Sequence, residues 1–261
     1  MLQVRLFGCF AIEHFSTSHA QDLGRSGRRL ASYLFSYPNR SHRREKLIDL
    51  FWTHSSPDQG RAGFSTALWK IKRALEGARD ESALCVTGQT VAIEVPRPAV
   101  VDAHRFACET AGALALSESD RLGRAVDLYG GSFLEEYDDD WVLEERERLE
   151  ALYVRALTQM MVRYAHAGAH EEALDCARRI LATDPMRETA QRAAMLLYTL
   201  NGQRGHALRQ FQRCRSTLRV ECAVDPMPET RALEALIRSG EVFDRLRDLQ
   251  DQIFGNIHNR G

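Results

Sequence analysis

The chain lacks any apolar run approaching the roughly 20 residues that a membrane-spanning helix needs. Its opening, Met1-Leu-Gln-Val-Arg-Leu-Phe-Gly, is a short apolar stretch with Arg5 inside it and has no cleavage-like tail, so no secretory signal is read. There is no Cys-x-x-Cys pair. The six cysteines (Cys9, Cys85, Cys108, Cys176, Cys214, Cys222) are scattered, which excludes a dense disulfide framework and a clustered zinc site. A reduced cytoplasmic chain with mostly buried thiols is expected. No Gly-x-x-x-x-Gly-Lys-Ser/Thr phosphate loop is present, so no nucleotide switching within the chain is expected. Spacing offers no nucleophilic Ser or Cys arrangement. His166 and His170 stand four apart, but Gly168 between them falls at a predicted turn and spoils a shared ligand face. The acidic run from Glu135 to Glu147 has no Gly-turned calcium loop, and Asp140 before Trp141 reads as a helix cap. That run is either a solvated face or a partner contact. The expectation is therefore no enzyme, no cofactor and no metal.

What is present is ordinary globular composition: 261 residues, 44% apolar and 27% charged, with a formal charge of −1. This length suits two domains of about 100–150 residues. The near-zero charge conceals a division. Residues 1–100 hold 14 Lys/Arg against 9 Asp/Glu, and residues 101–261 hold 21 against 27. A basic first part joined to an acidic second part fits a nucleic-acid reader coupled to a protein-contacting module.

Residues 2–14 alternate loosely and read as one or two short strands. From Arg28 to Gly77 the pattern is helical in three pieces, interrupted by Pro38 and by Ser55-Ser56-Pro57-Asp58. Residues 83–95 form two β-prone runs around Gly88-Gln89, a hairpin signal. Pro96-Arg97-Pro98 reads as a linker.

The segment from Asp58 to Glu76 has two faces. At about 100° per residue, Phe64, Leu68, Ile71 and Leu75 fall in one narrow core-facing stripe. Opposite lie Gln59, Ala62, Gly63, Thr66, Trp69, Lys70 and Arg73, a face that is small at its start, cationic at its end and without an acid. Such a helix can enter a major groove, with small residues allowing close approach and cations neutralising phosphates. A preceding helix, Arg44-Glu-Lys-Leu-Ile-Asp-Leu-Phe-Trp52, and the following hairpin stand where a helix-turn-helix unit and its wing place them. Arg25, Arg28, Arg29, Arg40, Arg43, Arg44 and Lys46 cluster upstream and could reach the backbone. The expected DNA-binding residues are Gln59, Arg61, Ser65, Thr66, Trp69, Lys70, Lys72, Arg73, Arg43, Arg44, Thr87 and Gln89. Trp52 is expected in the core; Trp69 is open to either packing or duplex contact.

Strands, three helices and a C-terminal hairpin look like the winged helix of OmpR-like response regulators. Residues 28–95 more closely resemble the DNA-binding half of the Streptomyces antibiotic regulatory protein (SARP) family, through Gly27-Arg-Arg-Leu-Ala-Ser-Tyr-Leu, Arg44 to Trp52, and Arg61-Ala-Gly-Phe-Ser-Thr-Ala-Leu-Trp-Lys-Ile-Lys-Arg-Ala-Leu75.

After residue 98 the chain reads as helical to about Phe254 and repeats itself. Tyr164 recurs as Tyr198, Gly168 as Gly202, Ala173-Leu174 as Ala207-Leu208, and Ala177 is answered by Phe211, each 34 residues on. That is the period of tetratricopeptide helix pairs. Asp184-Pro185 and Asp225-Pro226 read as N-cap and first-turn pairs. Gly131-Ser-Phe-Leu134, Asp140-Trp-Val-Leu-Glu-Glu-Arg-Glu-Arg-Leu149 and Glu171-Glu-Ala-Leu-Asp-Cys-Ala-Arg-Arg-Ile-Leu-Ala-Thr-Asp-Pro-Met-Arg-Glu188 resemble the bacterial transcriptional activator domain, which usually begins where Val101-Asp-Ala-His-Arg-Phe106 stands. Residues 241–254 form an extra amphipathic helix with Val242, Phe243, Leu246, Leu249 and Ile253 on one side. It is expected to cap the last repeat or to contact a second protomer, and Asn256 to Gly261 to fray.

The expected fold is mainly α: a winged helix-turn-helix domain with short β-strands and a hairpin wing (1–97), an all-α tetratricopeptide-like domain (98–240), and a C-terminal helix and tail (241–261). The resemblance implies a cytoplasmic activator that binds double-stranded DNA at direct repeats, contacts RNA polymerase and forms a homodimer on DNA, with no membrane. The alternatives are a repeat-based adaptor or a ligand-sensing protein with a degenerate first domain.

Overall fold

The computed structural model describes residues 2–14, 17–18, 23–76, 84–95, 100–116 and 119–255. The linker at Pro96-Arg97-Pro98 and the tail from Asn256 lie outside the described residues. Packing divides the chain into two compact units, Met1–Gly112 with Asp127–Leu149, and Ala113–Val126 with Glu150–Gly261. No helix among the described residues is long and apolar enough to cross a membrane.

The first unit opens with β1 (Leu2–Arg5), β2 (Ala11–His14) and β3 (Thr17–Ser18), antiparallel in turn. In β1 side chains alternate between core and solvent, the two-residue period of a half-buried strand. Then come α1 (Gly24–Ser36), β4 (His42–Arg43), α2 (Arg44–Phe51) and α3 (Pro57–Glu76). The wing is β5 (Leu84–Thr87) and β6 (Thr90–Ile93), around Gly88 at φ 54°. β7 (Val100–Val101) leads into α4 (Asp102–Leu116). The strands form two sheets, ordered β3-β2-β1-β7 and β4-β6-β5. The pairing of β7, parallel to β1, and of β4 with the wing were not anticipated from sequence.

Asp102 holds this unit's corner. One carboxylate oxygen accepts the N–H groups of Leu6 (2.8 Å) and Ala103 (2.6 Å), and the other accepts that of Phe7 (3.1 Å). Burial holds the Asp102 carboxyl above its ordinary value, and the three N–H donors offset only part of that rise. Close by, Phe7 bridges Phe133, and Arg146 donates to the carbonyls of Phe133, Leu134 and Tyr137 at 2.9–3.0 Å. Arg146 lies on α6 (Asp140–His166), which carries Asp140 in its first turn.

A ring cluster lies deeper. Tyr33 meets Tyr37, His42, Phe51 and Trp141 edge-on, with centroids 5.0–5.6 Å apart. The His42 Nε2 is buried there without a partner among the described residues. Burial first, and then the nearby Arg40 cation, hold its pKa below 6.5.

The second unit contains α5 (Ser119–Val126), α7 (His170–Thr183), α8 (Glu188–Leu200), α9 (Arg204–Cys222), α10 (Pro228–Ser239) and α11 (Leu246–Phe254), the last preceded by a 3-10 turn at Phe243–Arg245. α8 packs against α7 and α9, and α10 against both α8 and α9. The 34-residue repeat recurs in the backbone itself. Gly168 and Gly202 both turn at positive φ (74° and 70°). The Ala169 N–H donates to Tyr164, and the Gln203 N–H donates to Tyr198. Ala173 and Ala207, at equivalent positions, are fully buried, as close helix approach requires.

Four sequence expectations need correction. Asp184 is the C-cap of α7, not an N-cap: its carboxylate accepts the Met186 N–H (3.2 Å) and pairs with Arg187, while α8 starts at Glu188. Asp225 pairs with Arg219 at 2.9 Å, and α10 starts after Met227 with Pro228 in its first turn. The side of the C-terminal helix also splits. Val242, Leu249 and Phe254 are buried, and α11 packs on α8, but Phe243 is 61% exposed. Of the cysteines only Cys176 and Cys214 are buried, their thiols pushed up to about 11 by desolvation; Cys9, Cys108 and Cys222 are exposed.

Asp102→Asn leaves an amide NH2 facing one of the backbone donors, so unfolding in urea should show a loss of about 1–3 kcal/mol. A loss below the measurement error removes the carboxylate from this role. For His42 the unfolded ring takes its proton near pH 6.5 while the folded ring resists. Stability from the neutral ring is therefore complete above that value and lost as pH falls below it. The urea midpoint should fall on acidification, and fall less in His42→Phe; parallel profiles would exclude His42 as the source.

Candidate nucleic-acid interface

α3 is set by its buried stripe. Phe64, Leu68, Ile71 and Leu75 are all in the core, and the helix packs on α1 and α2. This leaves Gln59, Arg61, Ala62, Ser65, Thr66, Trp69, Lys72 and Arg73 exposed along the outside. Trp69 is 58% exposed, which answers the question its sequence position left open. The Arg73 guanidinium lies 5.3 Å over its ring centroid, so the cation is held on an apolar plate rather than left to sample solvent.

The outward hydroxyls turn inward. Thr66 Oγ1 donates to the Ala62 carbonyl (3.0 Å) and Ser65 Oγ to the Arg61 carbonyl (2.9 Å). Each oxygen keeps its lone pairs for an incoming donor, and Thr66 presents its methyl. Gln59 makes a reciprocal bond with Ser56: its side-chain oxygen accepts the Ser56 N–H, and its own N–H donates to Ser56 Oγ.

The structure assigns Gly63 a different task from the one read in sequence. Small size at this position suits a duplex approaching closely, but the Trp52 indole lies over it. A Cβ at Gly63 would meet the indole nitrogen within van der Waals contact and stand 3.1 Å from two ring carbons. Trp52 itself is half-buried, its indole closing over Gly63 and its Cβ approaching Gly60, and its ring meets Phe64 edge-on at 5.9 Å. The α3 surface is also not acid-free at its start, because exposed Asp58 pairs with Arg61 at 2.7 Å. A pair so exposed is worth little and can open.

Lys70 is half-buried, and its Nζ reaches the start of α1, 3.4 Å from where a Gly24 Cβ would stand. Arg28 and Arg29, read in sequence as free backbone-reaching cations, are engaged within the unit. Arg28 pairs with Glu136 (3.2 Å) and donates to the Phe10 carbonyl, and Arg29 pairs with Asp139. Two members of the acidic run thereby have a structural use that no local sequence signal revealed.

The wing and α2 meet through the backbone. The Arg44 N–H donates to the Gln89 carbonyl (2.9 Å), and Arg43 pairs with Thr90 across β4 and β6. Arg44 lies 5.4 Å from the Phe64 ring centroid. Thr87 and Gln89 are exposed at the tip. Arg44, Trp52, Gly60, Arg61, Ser65 and Gln89 line one open cavity of about 630 Å³. Twelve sequence-predicted residues therefore fall into groups: a stripe of Gln59, Thr66, Trp69 and Arg73, a cavity edge of Arg44, Arg61, Ser65 and Gln89, with Arg43 and Thr87 along the wing sheet, Lys72 on the flank and Lys70 turned toward α1.

A three-helix head with a hairpin wing, followed by a helical-repeat array, defines a class of winged-helix regulator. Residues 101–238 match the bacterial transcriptional activator domain, just over half of the chain. The chain belongs to the bacterial transcriptional activator domain family, in the SARP-like arrangement of an OmpR-like winged helix followed by that domain. It is 26% identical over 196 residues to the regulatory protein AfsR of Streptomyces coelicolor, covering 74% of this chain and 20% of that one. To the transcriptional regulatory protein MoaR1 of Mycobacterium tuberculosis it is 25% identical over 205 residues, 72% of this chain and 64% of that one. The chain thus spans about a fifth of AfsR and less than two thirds of MoaR1. The fold is like that of Mycobacterium tuberculosis EmbR, solved in complex with a low affinity phosphopeptide, with a TM-score of 0.71 and 21% identity over 99% of this chain and 69% of that one.

Because Trp52 occupies the space above Gly63, Gly63→Ala should force the indole aside and lower stability by about 1–3 kcal/mol in chemical denaturation. A neutral or stabilising Gly63→Ala would show that the gap is not needed.

Proposed function

We propose that the chain is a DNA-binding transcriptional regulator, an activator that reads duplex DNA with residues 59–73 of α3 in the major groove. The observation that carries the reading is the exposed stripe of Gln59, Thr66, Trp69 and Arg73 directly opposite a fully buried stripe, with a hairpin wing beside it. Gln59, Ser65, Thr66 and Trp69 face base edges. Arg61, Lys72 and Arg73 meet phosphates, and Lys70 joins them by swinging from α1. Arg43, Arg44, Thr87 and Gln89 bring the wing to the adjacent backbone. Residues 1–97 supply the reading and residues 98–240 the contact with protein, RNA polymerase being the partner the family implies; residues 241–261 are an addition. Family likeness also supports direct-repeat operators that hold two protomers about one helical turn apart.

Arg73→Ala and Lys72→Ala should weaken binding on every sequence and lower the salt slope by about one unit each. An unchanged slope in titrations across salt concentrations would remove either residue from the phosphate contacts. Thr66→Ala should instead change base preference at one position in a selection from random duplexes, with about 1–3 kcal/mol at stake there. Equal loss at all positions would refute base reading by Thr66.

A further inference from the structure

The second unit is nearly balanced in charge, with 18 Lys/Arg against 16 Asp/Glu, and α9 concentrates its cations. Within Arg204–Cys222 stand five arginines and His206 against Glu221 alone. Its buried stripe is Ala207, Gln210, Phe211, Cys214 and Leu218. The opposite face presents Arg209, Gln212, Arg213, Ser216, Arg219 and Val220, all exposed. Arg219 pairs with Asp225 and Arg215 approaches the same carboxylate, while Arg204 donates to the Arg238 carbonyl. Among the described residues, Arg209 and Arg213 have no hydrogen-bond or ion-pair partner. They stand one turn apart, about 6 Å along the axis.

We propose that this face of α9 is a second DNA-contacting surface, taking phosphates of duplex that flanks the sequence read by α3. The inference rests on the DNA-reading function proposed above. Two features favour a duplex over an acidic protein. The face has no large apolar or aromatic anchor before Val220 at its far end, whereas protein interfaces take most of their energy from such anchors. Its polar members are arginine, glutamine and serine, the donors that meet phosphate oxygens, with no carboxylate between Arg209 and Val220. Two free guanidinium groups on successive turns each neutralise one phosphate and release its counterion.

The test uses the full chain and two duplexes carrying a site selected by that chain from random sequence. One duplex is trimmed to the site, and the other is extended by two helical turns, about 20 base pairs. The wild-type chain should bind the extended duplex more tightly and with a steeper salt slope. Arg209→Gln with Arg213→Gln should lower that slope by about two units, erase the gain from the flank, and leave the trimmed duplex unaffected. Arg209→Lys with Arg213→Lys should keep the slope. If the glutamine pair matches wild type on both duplexes, the inference is overturned, as it is if the face instead captures an acidic protein. Failure of the wild-type chain to bind either duplex at low salt would bring down the reading by α3 itself, a distinct result.

Discussion

The Asp102 carboxylate is where the first unit closes. The end of a β-strand and the start of a helix both leave N–H groups with no ladder partner. Three of these, on Leu6, Phe7 and Ala103, converge on two oxygens. A negative charge at the first turn of α4 is favoured by that helix as well. The same residue follows β7, whose parallel pairing with β1 needs the strand to arrive at this corner. Without the carboxylate, the two residues that follow β1 and the first residue after Asp102 in α4 would keep three unsatisfied donors in a part-buried site.

α3 shows how one helix serves packing and presentation at once. Its inward stripe fixes rotation, Gly63 lets the Trp52 ring lie against it, and Gly60 leaves room for Ile48 and the Trp52 Cβ. Rotation set in that way decides which residues remain outside. The ring over Gly63 also ties the end of α2 to α3, so the setting of the exposed face of α3 follows from indole packing. Arg73 on Trp69 extends the logic: an exposed ring is tolerated where it orders a cation.

The elements with strong period were legible. The three helices of the head, the hairpin at Gly88-Gln89 and the 34-residue repeat all announce themselves through apolar spacing and turn residues, and each is present. What was not legible depends on contacts far apart in sequence. Glu136 and Asp139 look like members of a solvated acidic run, yet they neutralise Arg28 and Arg29 more than a hundred residues earlier. Gly63 and the hydroxyls of Ser65 and Thr66 have local patterns that fit a groove-facing surface; only coordinates reveal the indole and the backbone carbonyls that engage them. The Asp-Pro pairs misled for a different reason. Asp accepts a backbone N–H equally well just after a helix as just before one, and Pro suits both settings, so the dipeptide alone does not choose.

A boundary drawn from composition and a boundary drawn from packing answer different questions. Proline content and charge mark residues 96–98 as a change of character, and the family match starts at residue 101. Yet Val101, Phe106, Phe133 and Trp141 are buried in the first unit, Trp141 against the same Tyr33 that meets His42 at the base of the wing. The strand β4 carrying His42 runs straight into α2. Side chains that belong by family to the activator domain therefore complete the core on which α3 stands. A substitution at Phe133 or Trp141 acts on the setting of α3 through close packing, with no contact to the exposed stripe at all.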